Sequence, residues 1–488
     1  MSMNYFTKAL IAMLVVEATS LLAFNWPILS LPLLAAAAVA VFVLSWKNPE
    51  WGIYVLFAEL FFGSRGHLLE YDLGFVSISL RLVVFAAVFL SWAVKSVILR
   101  YSEGSRDSSA STPQNDKSIL VYSLLLVIIG FAILNGYLQG NWIGNVFNDA
   151  NGYLYLLILP AVVSAIKTKE QIQNILQILA AAIVVIAMKT LGLFLWFSFG
   201  FPGVATAYHW IISQDFGEIT GDVGSASRIF MQSQFWALMG LFIFALSERK
   251  NWLVIAASIL SILMSLSRSF WLGAIAGGLF VVMLVLWHFR PNFKAFLALG
   301  IKLGLIAILE IGLLYGIVSI GGNGIADSVS SRSGNPIKEA AGGARLLLLP
   351  ELLSAIKQAP IAGSGFGKLV TYKSFLPDRV TQQNPDGEIT NFAFEWGYLD
   401  IALKVGIIGL LIYLFFVANI FREGWQLLVT RNLLPVLGFL SALAALLVLN
   451  VTTPYLNHPL GIGFIILCAV VFNIYGQSEQ PDSQTAAS

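Results

Sequence analysis

Charge is what this sequence has least of. Only 11% of its 488 residues are Asp, Glu, Lys or Arg, and 58% are hydrophobic, whereas an ordinary soluble domain carries roughly 25% charged residues. That scarcity excludes a soluble globular chain. A net charge of +2 gives no basic surface for a nucleic-acid partner. Cysteine is nearly absent: Cys468 is the single one, so the chain can form no internal disulfide and no cysteine-based metal site. The four histidines, His67, His209, His288 and His458, show no paired spacing. With no HExxH and no acidic ligand cluster, the sequence supports neither a metal nor a cofactor.

What is present is long apolar runs. A bilayer core takes roughly 20 apolar helical residues per crossing, and many windows reach that length. The runs do not alternate with polar residues, as barrel strands would. The expected fold class is therefore all-α: a polytopic integral membrane protein of about 12–14 transmembrane helices, with one long extracytoplasmic loop between late spans. Spans are expected near 8–24, 28–45, 51–63, 77–99, 118–137, 152–166, 171–199, 229–247, 252–267, 268–289, 295–320, 392–420, 433–451 and 459–475. The first resembles a signal peptide, but no small-residue cleavage site precedes Asn25-Trp26-Pro27, so it reads as a retained span. The chain thus divides into transmembrane helices over 1–320, an extracytoplasmic loop with a short amphipathic helix over 321–390, further transmembrane helices over 391–476, and a polar cytoplasmic tail over 477–488. Residues 102–117 read as a Ser-rich linker.

Lys and Arg in short loops favour the cytoplasm. With the amino terminus inside, the cytoplasmic connections hold Lys8, Lys47, Lys95, Arg100, Arg106, Lys117, Lys167, Lys169, Arg249, Lys250, Arg290, Lys294, Arg422 and Arg431. The short outer connections and span ends hold Arg65, Arg228 and Arg268. Both termini are expected inside and the long loop outside.

Arginines at a membrane boundary ask for a reason, since one at a helix centre costs about 2.5–3.5 kcal/mol on insertion scales. Arg268, in MSLSRSFWLGAIAGG, lies between two apolar runs joined by almost no loop, at the outer mouth of a tight hairpin. Arg228, in GSASRIFMQSQFWALMG, opens the preceding span. Either also reads as an interfacial anchor that snorkels to headgroups. Arg345 begins the amphipathic stretch of the long loop, where Pro350-Glu351 reads as a helix first turn. Three guanidiniums on one side suit a pyrophosphate, whose oxygens match their fork of donors. GSGFGK at 363–368 is not a phosphate loop, because Leu369 follows Lys368 and Ala362 stands where the first glycine belongs; it reads as a flexible turn after Pro360. Glu395, in FEWGYLD, stands where the loop returns to apolar sequence and suits a general base, or a helix-start acid stabilised by the dipole. Asp400 does not share its face squarely and is spaced to pair with Lys404 at i+4.

Three pieces come in order, LSRSFWLGAIAGG, RLLLLPELLSAIKQAPIAGSGFG and YLDIALKVGIIGLL, with Arg228 ahead of them, in a part that spans roughly residues 228–409. Together they resemble the O-antigen ligase and O-antigen polymerase superfamily of bacterial membrane glycosyltransferases. The resemblance implies a multi-pass protein of the bacterial inner membrane, with an active site facing the periplasm. It implies transfer from an undecaprenyl-pyrophosphate-linked glycan, among membrane lipids, to an acceptor glycan or to lipid A core, inverting and without metal, cofactor or nucleotide sugar. Arg268 and Glu395 would then be catalytic, and Arg228, Arg345, Tyr398 and Asp400 would bind substrate. Ligases of the family place His-Asn before the Tyr-Leu of the closing helix, and this chain has Glu395-Trp396, then Gly397 and Tyr398-Leu399. The departure puts a polysaccharide polymerase ahead of a ligase, with a small-anion transporter of the same superfamily as a third reading. The deep ionisable residues Glu17, Glu59, Lys189 and Glu310 form no symmetric set of the kind transporters carry.

Overall fold

The computed structural model describes residues 4–74, 77–102, 113–220, 228–289, 292–321, 340–374 and 384–477. Expectations that fall on 322–339 and 375–383 of the long loop, on most of the 102–117 linker and on the tail lie outside the described residues.

Helices dominate. In chain order they are α1 Tyr5–Asn25, α2 Ser30–Lys47, α3 Pro49–Phe62, α4 Leu80–Ser102, α5 Pro113–Leu138, α6 Ile143–Leu154, α7 Leu159–Ala165, α8 Lys169–Phe199, α9 Val204–Ser213, α10 Gln234–Ala245, α11 Trp252–Ser265, α12 Arg268–Trp287, α13 Phe293–Gly321, α14 Ala340–Gln358, α15 Gly397–Arg431, α16 Leu434–Leu449 and α17 Pro459–Gln477. Their boundaries follow local chemistry. Thr168 and Gln171 close a capping box at the start of α8, and Gly200 ends it in the left-handed conformation. Asn4 and Asn251 cap α1 and α11 with their side chains.

Among the described residues, ten helical stretches are long and apolar enough to cross a membrane, and the apolar helices α10, α11 and α16 are shorter. The protein is an all-α, multi-pass membrane protein. Several expected boundaries move. The 51–63 run folds as α3, only 14 residues long. The 152–166 span begins earlier, as α6 followed by a 3-10 turn at Tyr155–Ile158 and then α7. The 229–247 span opens as a strand, because Arg228–Met231 (β4) pairs antiparallel with Gly217–Thr220 (β3). Two other hairpins exist, Glu70–Asp72 with Ser77–Ser79 (β1, β2) and Val370–Lys373 with Glu388–Asn391 (β5, β6).

The main core is built from α3, α8, α10, α16 and α17, where Phe61, Trp236, Phe235, Phe439, Phe464 and Tyr455 are buried. The α13 span lies at the periphery, with none of its apolar window buried, as expected of a helix that faces lipid. A second, smaller core joins the long loop to the bundle: Leu348, Leu352, Ala355 and Ile356 of α14 pack with Val370, Tyr372, Phe394, Ala402 and Leu403. Spacings of three and four put these α14 residues on one helix face. Pro350 lies inside this helix and does not start it, so Arg345 sits within α14 and not ahead of it.

Polar connections segregate to two ends of the bundle. At one, Arg65 meets Asp215, Tyr455 meets Gln232, Ser269 meets Thr452, and Gly367 meets Asp149. At the other, Gln171 meets Glu50, Lys169 lies over the Tyr475 ring, Arg431 donates to Tyr475 O, and His288 pairs with Asn432. Arg65 and Ser269, the neighbour of Arg268, take part in the contacts of the first end.

Candidate functional site

The site is organised by a break in α15. Gly406 has φ 76 and ψ 172, a conformation only glycine adopts freely, so residues 397–405 form a half-helix separated from the longer part of α15. Such a break exposes backbone groups that must be satisfied inside protein when the helix lies at membrane depth. The Gly-rich loop satisfies them. Ile407 N donates to Pro360 O at 2.8 Å, Ser364 N to Leu403 O at 2.7 Å and Gly365 N to Lys404 O at 3.1 Å. On its other side Phe366 N donates to Ala132 O, and the Asn135 and Asn141 side chains donate to Gly363 O and Phe366 O. The 363–368 segment is therefore not the flexible turn expected after Pro360. It is wedged between α5 and the α15 break, and a β-carbon at Gly365 would stand 2.2 Å from Gly136 N.

Beneath this wedge lies an ion cluster. Lys404 Nζ is 2.7 Å from Asp149 Oδ1 on α6 and 2.7 Å from Asp400 Oδ1, one turn away on the half-helix. The three side chains are 2%, 6% and 1% exposed. Asp149 Oδ2 accepts from Gly367 N at 2.7 Å, and Asp400 Oδ2 accepts from Asn457 Nδ2 at 2.5 Å. The i+4 pairing expected between Asp400 and Lys404 is present. Asp400, expected to bind substrate, is buried and is paired with Lys404 and Asn457.

Above the half-helix, Glu395 is ion-paired with Arg345 of α14, and Trp396 Nε1 donates to Arg345 O at 3.0 Å. The Glu395 side chain is 53% exposed and that of Arg345 29%, so Glu395 stands on an open, charged rim and not at the apolar boundary read from its neighbours. The Tyr398 hydroxyl donates to Leu447 O at 2.7 Å, which ties the half-helix to α16. The loop after α16 links this rim to α12. A β-carbon on Gly397 would stand 2.3 Å from Asn450 O, and two residues on, Thr452 meets Ser269, next to Arg268. Arg268 opens α12 after a turn in which Leu266 is left-handed, φ 45, as the tight hairpin required. Arg228 lies on β4 and not at a helix start: its Nε donates to Ser265 O at 2.8 Å and its Nη1 meets Glu218 at 3.1 Å. Arg228 is thus bonded to the first residue of the 265–267 turn, which Arg268 follows in the chain.

A second polar group, missed in the sequence, lines the same end. Arg81 Nε pairs with Glu59 Oε2 at 2.9 Å, both 4% exposed, and Arg81 Nη2 donates to Ser64 O. Arg65 grips Asp215 through both carboxylate oxygens. Burial pushes the Glu70 carboxyl up, but its hydrogen bond with His67 and the charge of that ring bring it below the usual value. His458, on the connection into α17, is held well below the ordinary histidine value by burial first, then by Arg81, Arg65 and His67, and stays neutral. Of the deep ionisable residues, Glu17 pairs with Lys189 at 2.8 Å and Glu59 with Arg81. Among the described residues, no three His, Cys, Asp or Glu side chains gather to hold a metal ion.

The fold is that of an all-α, multi-pass membrane protein with ion-paired arginines and a broken helix. Residues 253–414 match the family model described as O-antigen ligase, and this match over part of the chain supports a ligase- or polymerase-type function. The matched segment contains Arg268, Arg345, Glu395, Asp400 and Lys404 and leaves out Arg228 and Asp149. No curated protein matches the chain.

Proposed function

We propose that the protein is a polysaccharide polymerase of the bacterial inner membrane, with both termini cytoplasmic and the site at the periplasmic face. It moves a glycan from an undecaprenyl-pyrophosphate carrier onto a sugar hydroxyl of a second glycan. The observation that carries this reading is the Arg345–Glu395 pair, half open to solvent on the rim that also receives the start of α12 with Arg268. A pyrophosphate competes with Glu395 for the Arg345 guanidinium, since phosphate oxygens accept the same fork of donors. Arg268, at the start of α12, and Arg228, on β4 beside the α11–α12 turn, neutralise the charge that builds on the leaving group. Glu395, released from Arg345, takes the proton of the acceptor hydroxyl. The hydroxyl oxygen forms the new bond to the anomeric carbon, the bond from that carbon to the pyrophosphate oxygen breaks with its electron pair, and the centre inverts.

The test is the glycan profile of a deletion strain that carries wild-type, Glu395→Gln or Arg268→Ala protein at equal membrane levels. Loss of long polymer with both variants supports the reading; long polymer made by either correctly inserted variant overturns it. The family description favours one other reading, the ligase, with the same chemistry on a lipid acceptor. In that case the deletion leaves full-length polymer on the carrier and none on lipid A core.

A further inference from the structure

Glu395 lies just ahead of a half-helix of about two and a half turns, and Gly406 disconnects that half-helix from the rest of α15. An unbroken helix takes its direction from the whole length it packs along. This one cannot, so its direction is set from the side, where three other segments meet it. The 363–367 loop binds the carbonyls of Leu403 and Lys404. Helix α6 sends in Asp149, which holds Lys404 with one oxygen and Gly367 N with the other. The connection into α17 sends in Asn457, which donates to Asp400. Lys404 touches acids of two different segments, Asp149 of α6 and Asp400 of its own half-helix.

We propose that Lys404 is a positioning residue for the transfer site. By holding Asp149 and Asp400 together, it locks the half-helix to α6 and to the 363–367 loop, and so fixes where Glu395 stands against Arg345. The catalytic meaning of this lock rests on Glu395 being the proton acceptor; the lock itself does not. A residue that served only to neutralise buried acids would be dispensable once those acids were gone, because an apolar replacement of a buried ionic group is often neutral. A lock would not be.

Hydrogen exchange of the full chain in lipid nanodiscs, with no substrate added, separates the two. Compared are the wild type, Lys404→Met, Lys404→Arg, and the triple variant Asp149→Asn/Asp400→Asn/Lys404→Met, which carries none of the three charges. The lock predicts that amides at 363–367 and 388–400 exchange about tenfold faster in Lys404→Met and in the triple variant. Exchange in α16, residues 434–449, stays at the wild-type rate, and Lys404→Arg restores most of the protection. If the triple variant protects 363–367 and 388–400 as the wild type does, the lock is wrong and Lys404 only balances charge. Equal acceleration in α16 would make Lys404 a general stability residue, which also overturns the proposal. Should Lys404→Met fail to fold, the triple variant, with no buried charge left unpaired, carries the test. The polymer phenotype of Glu395→Gln decides the transfer reading separately, so either idea can fail without the other.

Discussion

Asp149 and Lys404 stand 255 positions apart in the chain, and their side chains meet at 2.7 Å in the interior. One lies outside the segment that matches the O-antigen ligase family and the other inside it. The matched segment therefore does not hold its own geometry; α6 completes it. The same neighbourhood leads to consequences that can be measured one at a time.

Glu395→Gln removes the proton acceptor while keeping a hydrogen-bonding partner for Arg345. Polymer formation in membranes is expected to fall by about 10²–10⁴-fold, the usual worth of a positioned acid or base. The variant should insert and unfold like the wild type, because the group is more than half exposed. Incorporation of labelled glycan by membrane vesicles measures the rate.

The wedge at the α15 break admits no side chain. A β-carbon at Gly406 would stand 2.0 Å from Ile361 O, and φ there is positive. Gly406→Ala and Gly365→Ala should each destabilise by about 2 kcal/mol or more, from overpacking together with left-handed strain. Gly300→Ala, with nothing within 4 Å of its β-carbon, should leave the unfolding temperature unchanged or raise it. Thermal unfolding in detergent compares the three, and an unaltered Gly406→Ala protein would contradict the wedge.

Glu59 and Arg81 form a buried pair at 2.9 Å. Removing one partner, as in Arg81→Leu, is expected to cost about 3–5 kcal/mol because it strands a buried charge. The double replacement Glu59→Leu/Arg81→Leu should recover most of that loss. Yields of folded protein and denaturation midpoints for the two singles and the double decide it; a double variant worse than the sum of the singles would show that the pair does more than neutralise itself.

His458 gives the stability a pH dependence. Burial first, then Arg81, Arg65 and His67, hold the folded imidazole neutral well below its ordinary value. In the unfolded chain it takes up a proton near pH 6.5. The unfolded state thus binds more protons below that pH, so the contribution is fully present above about pH 6.5 and is lost as pH falls toward the depressed folded value. The unfolding temperature should drop between pH 7 and pH 5. His458→Gln should flatten that slope, and an equally steep slope in the variant would place the proton uptake elsewhere.

Much of the bundle was readable because apolar runs end at Gly, Pro and charges. The expected spans 171–199 and 268–289 correspond to α8 and α12 within about two residues. The Asp400–Lys404 pair also followed from local spacing. Asp149 did not: it lies in GNVFNDANG, whose polar residues look like a loop and in fact form a buried helix with partners contributed from positions far along the chain. Arg345 and Glu395 are 50 residues apart, and no periodicity joins them. The GSGFG loop looked mobile because glycine is permissive by itself; what makes it rigid is backbone from α5 and α15 packed where side chains would be. The strand at Arg228 was hidden because its partner is a four-residue run with no alternation of its own.

The break at Gly406 also redraws where one part of the molecule ends. By hydropathy the outer segment closes near residue 390, but the half-helix beyond it is bonded to the 360–367 loop and shares a core with α14. Mechanically it belongs with them. A chimera that exchanges the outer segment between relatives should therefore be cut after Gly406 and carry a matching α6 with it, because a junction at 390 would graft a rim without its foundation.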